Sequence, residues 1–161
     1  MTTADLYDAH GEALQVASPL FRDFGRRVAF AGPISTVQVH EDNALVRQAL
    51  EEPGQGRVLV VDGGGSLRCA LLGDNLASLG AKQGWAGVVI YGCVRDADVL
   101  ATLDFGVKAL ATNPRKSGKT GQGRRDGPVR FADVEFRPGE WLYADRDGVV
   151  TAPTPVAAPA P

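Results

Sequence analysis

The apolar run VLVV at residues 58–61 stops at Asp62 and is followed at once by three glycines. A short continuous apolar stretch closed by turn residues predicts a strand buried on both faces. AGVVIYG (86–92) and VKALAT (107–112) repeat the pattern. Between them, residues 66–84 and 95–106 place apolar side chains at helical spacing, which predicts two helices. Gly73-Asp74 marks a break or restart in the first, and Gly106 ends the second. Strand, helix, strand, helix, strand at this spacing predicts βαβ units, with parallel strands joined by right-handed crossovers.

On the N-terminal side, residues 1–17 predict a short helical lead-in with Thr3 capping the turn that holds Leu6 and Tyr7. Residues 26–40 are rich in β-branched and aromatic side chains and are interrupted by Gly32-Pro33, which predicts two short strands. EDNALVRQALEE (41–52) predicts a helix behind Asp42 or Asn43 that ends at Pro53-Gly54. Residues 129–153 return to alternating strands, with Pro138-Gly139 and Asp147-Gly148 as turns. The expected fold class is α/β: a compact βαβ-containing domain with flanking β-strands, and too few βα repeats for a full doubly wound sheet. A single domain over residues 1–152 is expected, with residues 153–161 forming a Pro/Ala-rich, solvated and disordered tail.

The 161 residues suffice for one hydrophobic core, and 44% hydrophobic with 22% charged residues is ordinary for a globular chain. A net charge of −2 supplies no general drive toward nucleic acid or an anionic membrane, so no direct nucleic-acid partner is expected. No apolar run reaches membrane-spanning length, and MTTADLYDAHGEAL lacks the layout of a signal peptide. The cytoplasm is the expected compartment. There Cys69 and Cys93, outside any Cys-x-x-Cys pattern, are expected as reduced, half-buried thiols. His10 and His40 have no neighbouring ligand pattern and are read as structural or surface residues.

Two nucleotide-like motifs fail on spacing. After Asp62, a dinucleotide fingerprint from Gly63 needs glycine at 65 and 68, and position 68 is Arg. A methyltransferase-type loop needs glycine at 64, 66 and 68, and only Gly64 fits. The Ser-Gly-Lys-Thr run at 117–120 resembles a phosphate-binding loop, but position 113 is Asn and the following GQGRRDGP cannot hold a helix. The five basic residues of 113–125 therefore read as a mobile, solvated loop, with contact to RNA or an acidic partner as the alternative.

Asp74 and Arg95-Asp96 carry the remaining chemistry. As ordinary turn residues, Asp74 caps a helix starting near Asn75, and Asp96 sits in the first turn of the next, where its charge suits the dipole. Alternatively, both lie in loops that open on the same edge of a parallel sheet, where ligands bind. Arg95 offers a fork for a carboxylate, two carboxylates suit a hard cation, and backbone N–H groups near Asn75 suit an anion's remaining oxygens.

The run GRVLVVDGGGSLRCALLGDNLASLGAKQGWAGVVIYGCVRD (56–96), with EDNALV and YADRDGVV, resembles the family named for the regulator of ribonuclease E activity A. That family also contains metal-dependent 4-hydroxy-4-methyl-2-oxoglutarate aldolases, and its enzymatic members carry Asp, twenty intervening residues, then Arg-Asp. Asp74 and Arg95-Asp96 match without a gap. The resemblance spans about residues 4–152. It implies a swivelling-domain-like ββα fold, a homotrimer or a pair of trimers with active sites between subunits, and Mg²⁺ or Mn²⁺. By position it implies Asp96 as metal ligand, and Arg95 as the residue gripping a pyruvyl carboxylate and keto oxygen. Gly73, Asp74, Asn75 and Leu76 then form the substrate-binding loop, with Asp74 also catalytic through a metal-bound water. The implied activity is class II aldolase cleavage of 4-hydroxy-4-methyl-2-oxoglutarate to pyruvate, with oxaloacetate decarboxylation through the same pyruvate enolate. The alternative is a non-catalytic regulator that binds and inhibits a ribonuclease E-type enzyme. A demethylmenaquinone methyltransferase name also attaches to the family, and the failed glycine spacing after Asp62 argues against that activity here.

Overall fold

A computed structural model describes residues 2–156. Helix α1 (Thr3–His10) is capped by Thr2 rather than Thr3: the Thr2 hydroxyl accepts the Asp5 N–H, and the Asp5 carboxylate accepts the Thr2 N–H. Thr3 is buried instead, and its N–H and hydroxyl both donate to Asp145 at 2.7 Å. Two short strands follow, β1 (Gln15–Val16) and β2 (Arg22–Asp23). The next, β3 (Phe30–Gln38), corrects the expectation of two strands, because it runs unbroken through Gly32-Pro33. The dipeptide marks a change of partner rather than a break. Residues up to Pro33 pair antiparallel with the C-terminal part of the chain, whereas Ile34 onward pairs in parallel with residues 58–62. At the changeover Ile34, which keeps its N–H, donates to Glu140 O at 2.7 Å. A proline is tolerated where the ladder is being exchanged.

Helix α2 (Ala44–Glu51) leads to β4 (Val58–Asp62), every residue of which is buried, as the apolar run predicts. The stretch expected as one helix over 66–84 divides differently. Residues 70–72 form β5 (Ala70–Leu72), and only after Gly73 does α3 (Asp74–Lys82) begin. The reason lies in β6 (Gly87–Val94), which outruns β4: β4 pairs with it as far as Tyr91, and β5 takes over beside Cys93 and Val94. A short apolar run such as CALL reads alike in helix and strand, so an unpaired ladder decided the outcome. The expected helix 95–106 is a single turn, α4 (Ala97–Leu100), after which Thr102 and Leu103 close tighter turns to Val99 and Leu100. Then come β7 (Gly106–Thr112), β8 (Arg124–Arg125), the hairpin β9 (Val129–Phe131) and β10 (Val134–Phe136), and the pair β11 (Trp141–Asp145) and β12 (Gly148–Ala152).

The strands join as β1-β12-β11-β3-β4-β6-β7-β2, with β5 beside β6, β8 beside β3, and β9–β10 a separate pair. From β3 through β4 and β6 to β7 the chain always steps in one direction, and right-handed crossovers then put α2, α3 and α4 on one face, while α1 packs on β11 and β12. The core agrees: Val46 and Leu50 of α2, Leu76 and Ala77 of α3, Leu100 and Phe105 all pack with Leu59, Val61, Val88 and Ile90. The alternate residues Val60 and Val89 face the other way, onto Phe131 and Phe136. Tyr91 stacks on Phe131 at 4.9 Å and Phe131 on Phe136 at 4.5 Å, so the hairpin closes the second face. Both thiols are more buried than expected, Cys93 fully, and burial pushes each of their pKa values up. The N–H of Val156 donates to the Tyr143 hydroxyl at 2.8 Å, and the rest of the expected tail, residues 157–161, lies outside the described residues. No helix among the described residues is long and apolar enough to cross a membrane.

Candidate functional site

The C-terminal ends of β5, β6 and β7 deliver their loops to one edge of the sheet, and a cleft opens there. It is lined by Leu72, Gly73, Asp74, Asn75 and Leu76, and by Arg95 and Asp96. Every residue singled out in the sequence is therefore brought to one place. The two ends of the stretch 73–96 touch: the Asp74 N–H donates to Asp96 Oδ2 at 3.1 Å. The Arg95 N–H donates to Leu72 O at 2.9 Å, which holds the two loops in register.

Local backbone explains the approach. Asp96 sits at φ 61°, ψ 43°, a left-handed conformation that Asp tolerates better than most residues. It is the residue preceding α4, but its side chain makes no capping bond and turns to Asp74 instead. Gly73 has ordinary extended dihedrals, yet a Cβ there would lie 2.5 Å from Asp96 Oδ2. The glycine is needed for space, not for flexibility. The plain capping reading of Asp74 is met in part, since its Oδ1 accepts the Asn75 N–H at 2.8 Å. Two of the backbone donors expected to face an anion are thus engaged by the site's own carboxylates.

Residues that sequence reasoning did not assign to the site also line the cleft, among them Asn43 and Arg47 from α2 and its approach, and Lys116, Ser117 and Lys119 from the loop after β7. Their signals were present, in EDNALV and in the Ser-Gly-Lys-Thr run, but nothing in one dimension joined them to Asp74. The loop is also more tightly held than a mobile, solvated segment: Ser117 is buried, and Ala70 donates to Arg115 O at 2.8 Å. Around the cleft, four cations (Arg47, Arg95, Lys116, Lys119) face two carboxylates (Asp74, Asp96). That balance suits a multiply charged anion accompanied by a cation.

Among the described residues there is no group of three or more His, Cys, Asp or Glu side chains that would cage a metal. A closed zinc-type site is not the arrangement here. The half-buried Asp74 and the exposed Asp96, brought side by side, fit a hard ion that takes one or two protein oxygens and completes its shell with water and ligand, as Mg²⁺ does. The glycine turn after β4, by contrast, spends its donors internally. The Gly63 and Gly65 N–H groups go to Tyr91 O and the Gly64 N–H to Asp62 Oδ1, which leaves no open cradle for a nucleotide.

Comparison with known proteins gives the family of the chain. The RraA-like family model, Aldolase/RraA, matches residues 3–151. A protein of Alkalilimnicola ehrlichii with the provisional name 4-hydroxy-4-methyl-2-oxoglutarate aldolase is 63% identical over 150 residues, 93% of each chain. One of Pseudomonas syringae pv. tomato with the same name is 57% identical, over 98% of this chain and 97% of its own. Among solved structures, the RNA-processing inhibitor RraA from Thermus thermophilis superposes with a TM-score of 0.94 at 49% identity, covering 98% of this chain and 95% of that one. A Geobacillus kaustophilus protein described as an S-adenosylmethionine:2-dimethylmenaquinone methyltransferase does so at 0.95, also with 49% identity and 97% coverage of both chains. By the extent of the family match and the identity to its members, the chain belongs to the RraA-like family, Aldolase/RraA.

Proposed function

We propose that this chain is a divalent-cation-dependent carbon–carbon lyase that cleaves 4-hydroxy-4-methyl-2-oxoglutarate to pyruvate and decarboxylates oxaloacetate. The observation that carries the reading is the Asp74–Asp96 contact beside Arg95, inside a cleft of net positive charge. The names of the aldolase relatives supply the substrate.

Both reactions leave the same species, the enolate of pyruvate. In the aldol cleavage, loss of the 4-hydroxyl proton lets the C3–C4 electron pair move onto C3 and the keto oxygen. In oxaloacetate, the pair left by departing CO₂ takes the same route. The Arg95 guanidinium supplies a fixed, forked positive charge for the pyruvyl carboxylate and for the developing oxyanion. Asp74, with one carboxylate oxygen on the Asn75 N–H, has its other oxygen to carry the 4-hydroxyl proton. Asp96 would hold Mg²⁺ or Mn²⁺, which when bound acts as a Lewis acid on the keto acid. Lys116 and Lys119 face the same cleft and add positive charge for the carboxylates of the ligand. We also propose cytoplasmic action, with residues 1–152 as one domain ahead of a Pro/Ala-rich tail. Assembly as a trimer or a pair of trimers is proposed as well, with the cleft at a subunit contact. Exposed Leu67 and Val99, in the segments flanking the cleft residues, suit such a contact.

The test is pyruvate release from both substrates with Mg²⁺, against a protein-free control, because the cation alone decarboxylates oxaloacetate. Turnover above the control that is lost in a chelator is expected. Its absence would sink the lyase reading and favour the second one, inhibition of a ribonuclease E-type enzyme, for which the Thermus relative's description is the support. Gly73→Ala offers a sharper check on the geometry. Its methyl group must displace the Asp96 carboxylate, so turnover should fall at least about tenfold, while the melting temperature moves by only a few degrees. Unchanged turnover would mean that the Asp74–Asp96 contact is incidental.

A further inference from the structure

The loop between β7 and β8 presents Lys116 and Lys119 to the cleft, yet residues 113–123 (NPRKSGKTGQG) hold almost no apolar side chain with which to pack. Hydrogen bonds must therefore fix its course. Four are backbone contacts: Asn113 N–H to Val94 O at 3.0 Å, Ala70 N–H to Arg115 O at 2.8 Å, Gly118 N–H to Glu41 O at 2.9 Å, and Asn43 N–H to Gly118 O at 3.1 Å. The Asn113 side chain donates to Leu67 O at 2.7 Å near the start of the loop, and three further bonds converge on one side chain. Asp42 Oδ2 accepts the Thr120 N–H at 2.5 Å and the Thr120 hydroxyl at 2.7 Å, and Oδ1 accepts the Gly121 N–H at 3.2 Å. The same Oδ1 accepts the Ala44 N–H at 3.1 Å, at the first turn of α2.

A helix start needs no buried carboxylate, since an exposed Ser or Asn serves as well. Asp42 is only 3% exposed, and burying a charge is costly unless every oxygen is satisfied. Here four donors satisfy it, three from the loop and one from the helix. Those two elements are the walls that carry Asn43 and Arg47 on one side, and Lys116, Ser117 and Lys119 on the other. From this we infer that Asp42 is a positioning residue: it clamps the lysine loop to α2 and so sets the anion-binding wall of the cleft. The inference rests on the reading of that cleft as a 2-oxo-acid site. Burial alone would raise the Asp42 pKa, but the bonds from Thr120, Ala44 and Gly121 outweigh it and hold the carboxyl below its ordinary range. The clamp is therefore charged at neutral pH.

The experiment compares wild type with Asp42→Asn and Thr120→Val, each alone and on a Lys116→Ala/Lys119→Ala background, after checking folding by circular dichroism. Two quantities are read with Mg²⁺ present: KM and kcat for pyruvate release, and the Kd of oxalate, a planar mimic of the pyruvate enolate, by calorimetry. Asp42→Asn should raise KM and the oxalate Kd about tenfold with kcat within about twofold, and Thr120→Val about threefold. On the lysine-less background either change should add less than about twofold, because the clamp acts through those side chains. Unaltered KM and Kd, or a full effect without the lysines, would overturn the clamp. Should Asp42→Asn fail to fold, Thr120→Val decides alone. A wild type that binds oxalate but releases no pyruvate would end the lyase reading, and the oxalate titration would still judge the clamp. A wild type that binds no oxalate would end the clamp.

Discussion

Asp96→Ala is expected to bring pyruvate release from 4-hydroxy-4-methyl-2-oxoglutarate and from oxaloacetate down to the Mg²⁺-only control, a loss of about a thousandfold or more. Asp96 is exposed, and its carboxylate does no helix capping, so little of the fold depends on it. Its backbone is another matter. At φ 61°, alanine carries a left-handed strain of about 1 kcal/mol, which alone could perturb the loop. Asp96→Asn removes that ambiguity, because asparagine tolerates the conformation and keeps the shape of the side chain. It can still accept the Asp74 N–H, but it loses the negative charge that holds a cation. Both variants should therefore lose metal-dependent turnover together, with melting temperatures near wild type for Asn. Activity that survives in Asp96→Asn would assign the carboxylate a purely structural bond to Asp74.

Arg95→Ala should cost two to three powers of ten in kcat/KM, the usual worth, about 3–4 kcal/mol, of one preorganised charge at a developing oxyanion. Arg95→Lys separates charge from geometry. A lysine restores a point charge but not the forked pair of donors, so it should recover only part of the loss. The side chain is exposed, and its contact from Nη1 to Pro114 O, at 3.4 Å, is weak enough that stability should hardly change. Wild-type rates in Arg95→Ala would remove the guanidinium from the mechanism and leave binding to the lysine wall.

The parallel unit was legible because buried strands advertise themselves: VLVV, GVVIY and VKALA are continuous apolar runs bounded by turns, and each became a strand. The helix expected over 66–84 was overestimated at its start. Periodicity cannot tell a short apolar run in a helix from one in a strand, and CALL at 69–72 was claimed by the unpaired end of β6. Likewise, Gly32-Pro33 marks a change of partner in β3, which depends on β11, more than a hundred residues away.

For the site, the spacing of Asp74 and Arg95-Asp96 was readable in one dimension because both ends belong to a single helix–strand unit. Once β5 and β6 lie in parallel, their loops must meet. The sequence by itself determined that unit, its burial and the identity of the three residues that close it. Only the tertiary structure decided that the Ser-Gly-Lys-Thr loop folds back across the sheet edge to complete the cleft. The bonds that hold it run from Thr120 to Asp42, across seventy-eight residues of chain, and no local pattern encodes a contact whose partners are brought together by the rest of the fold.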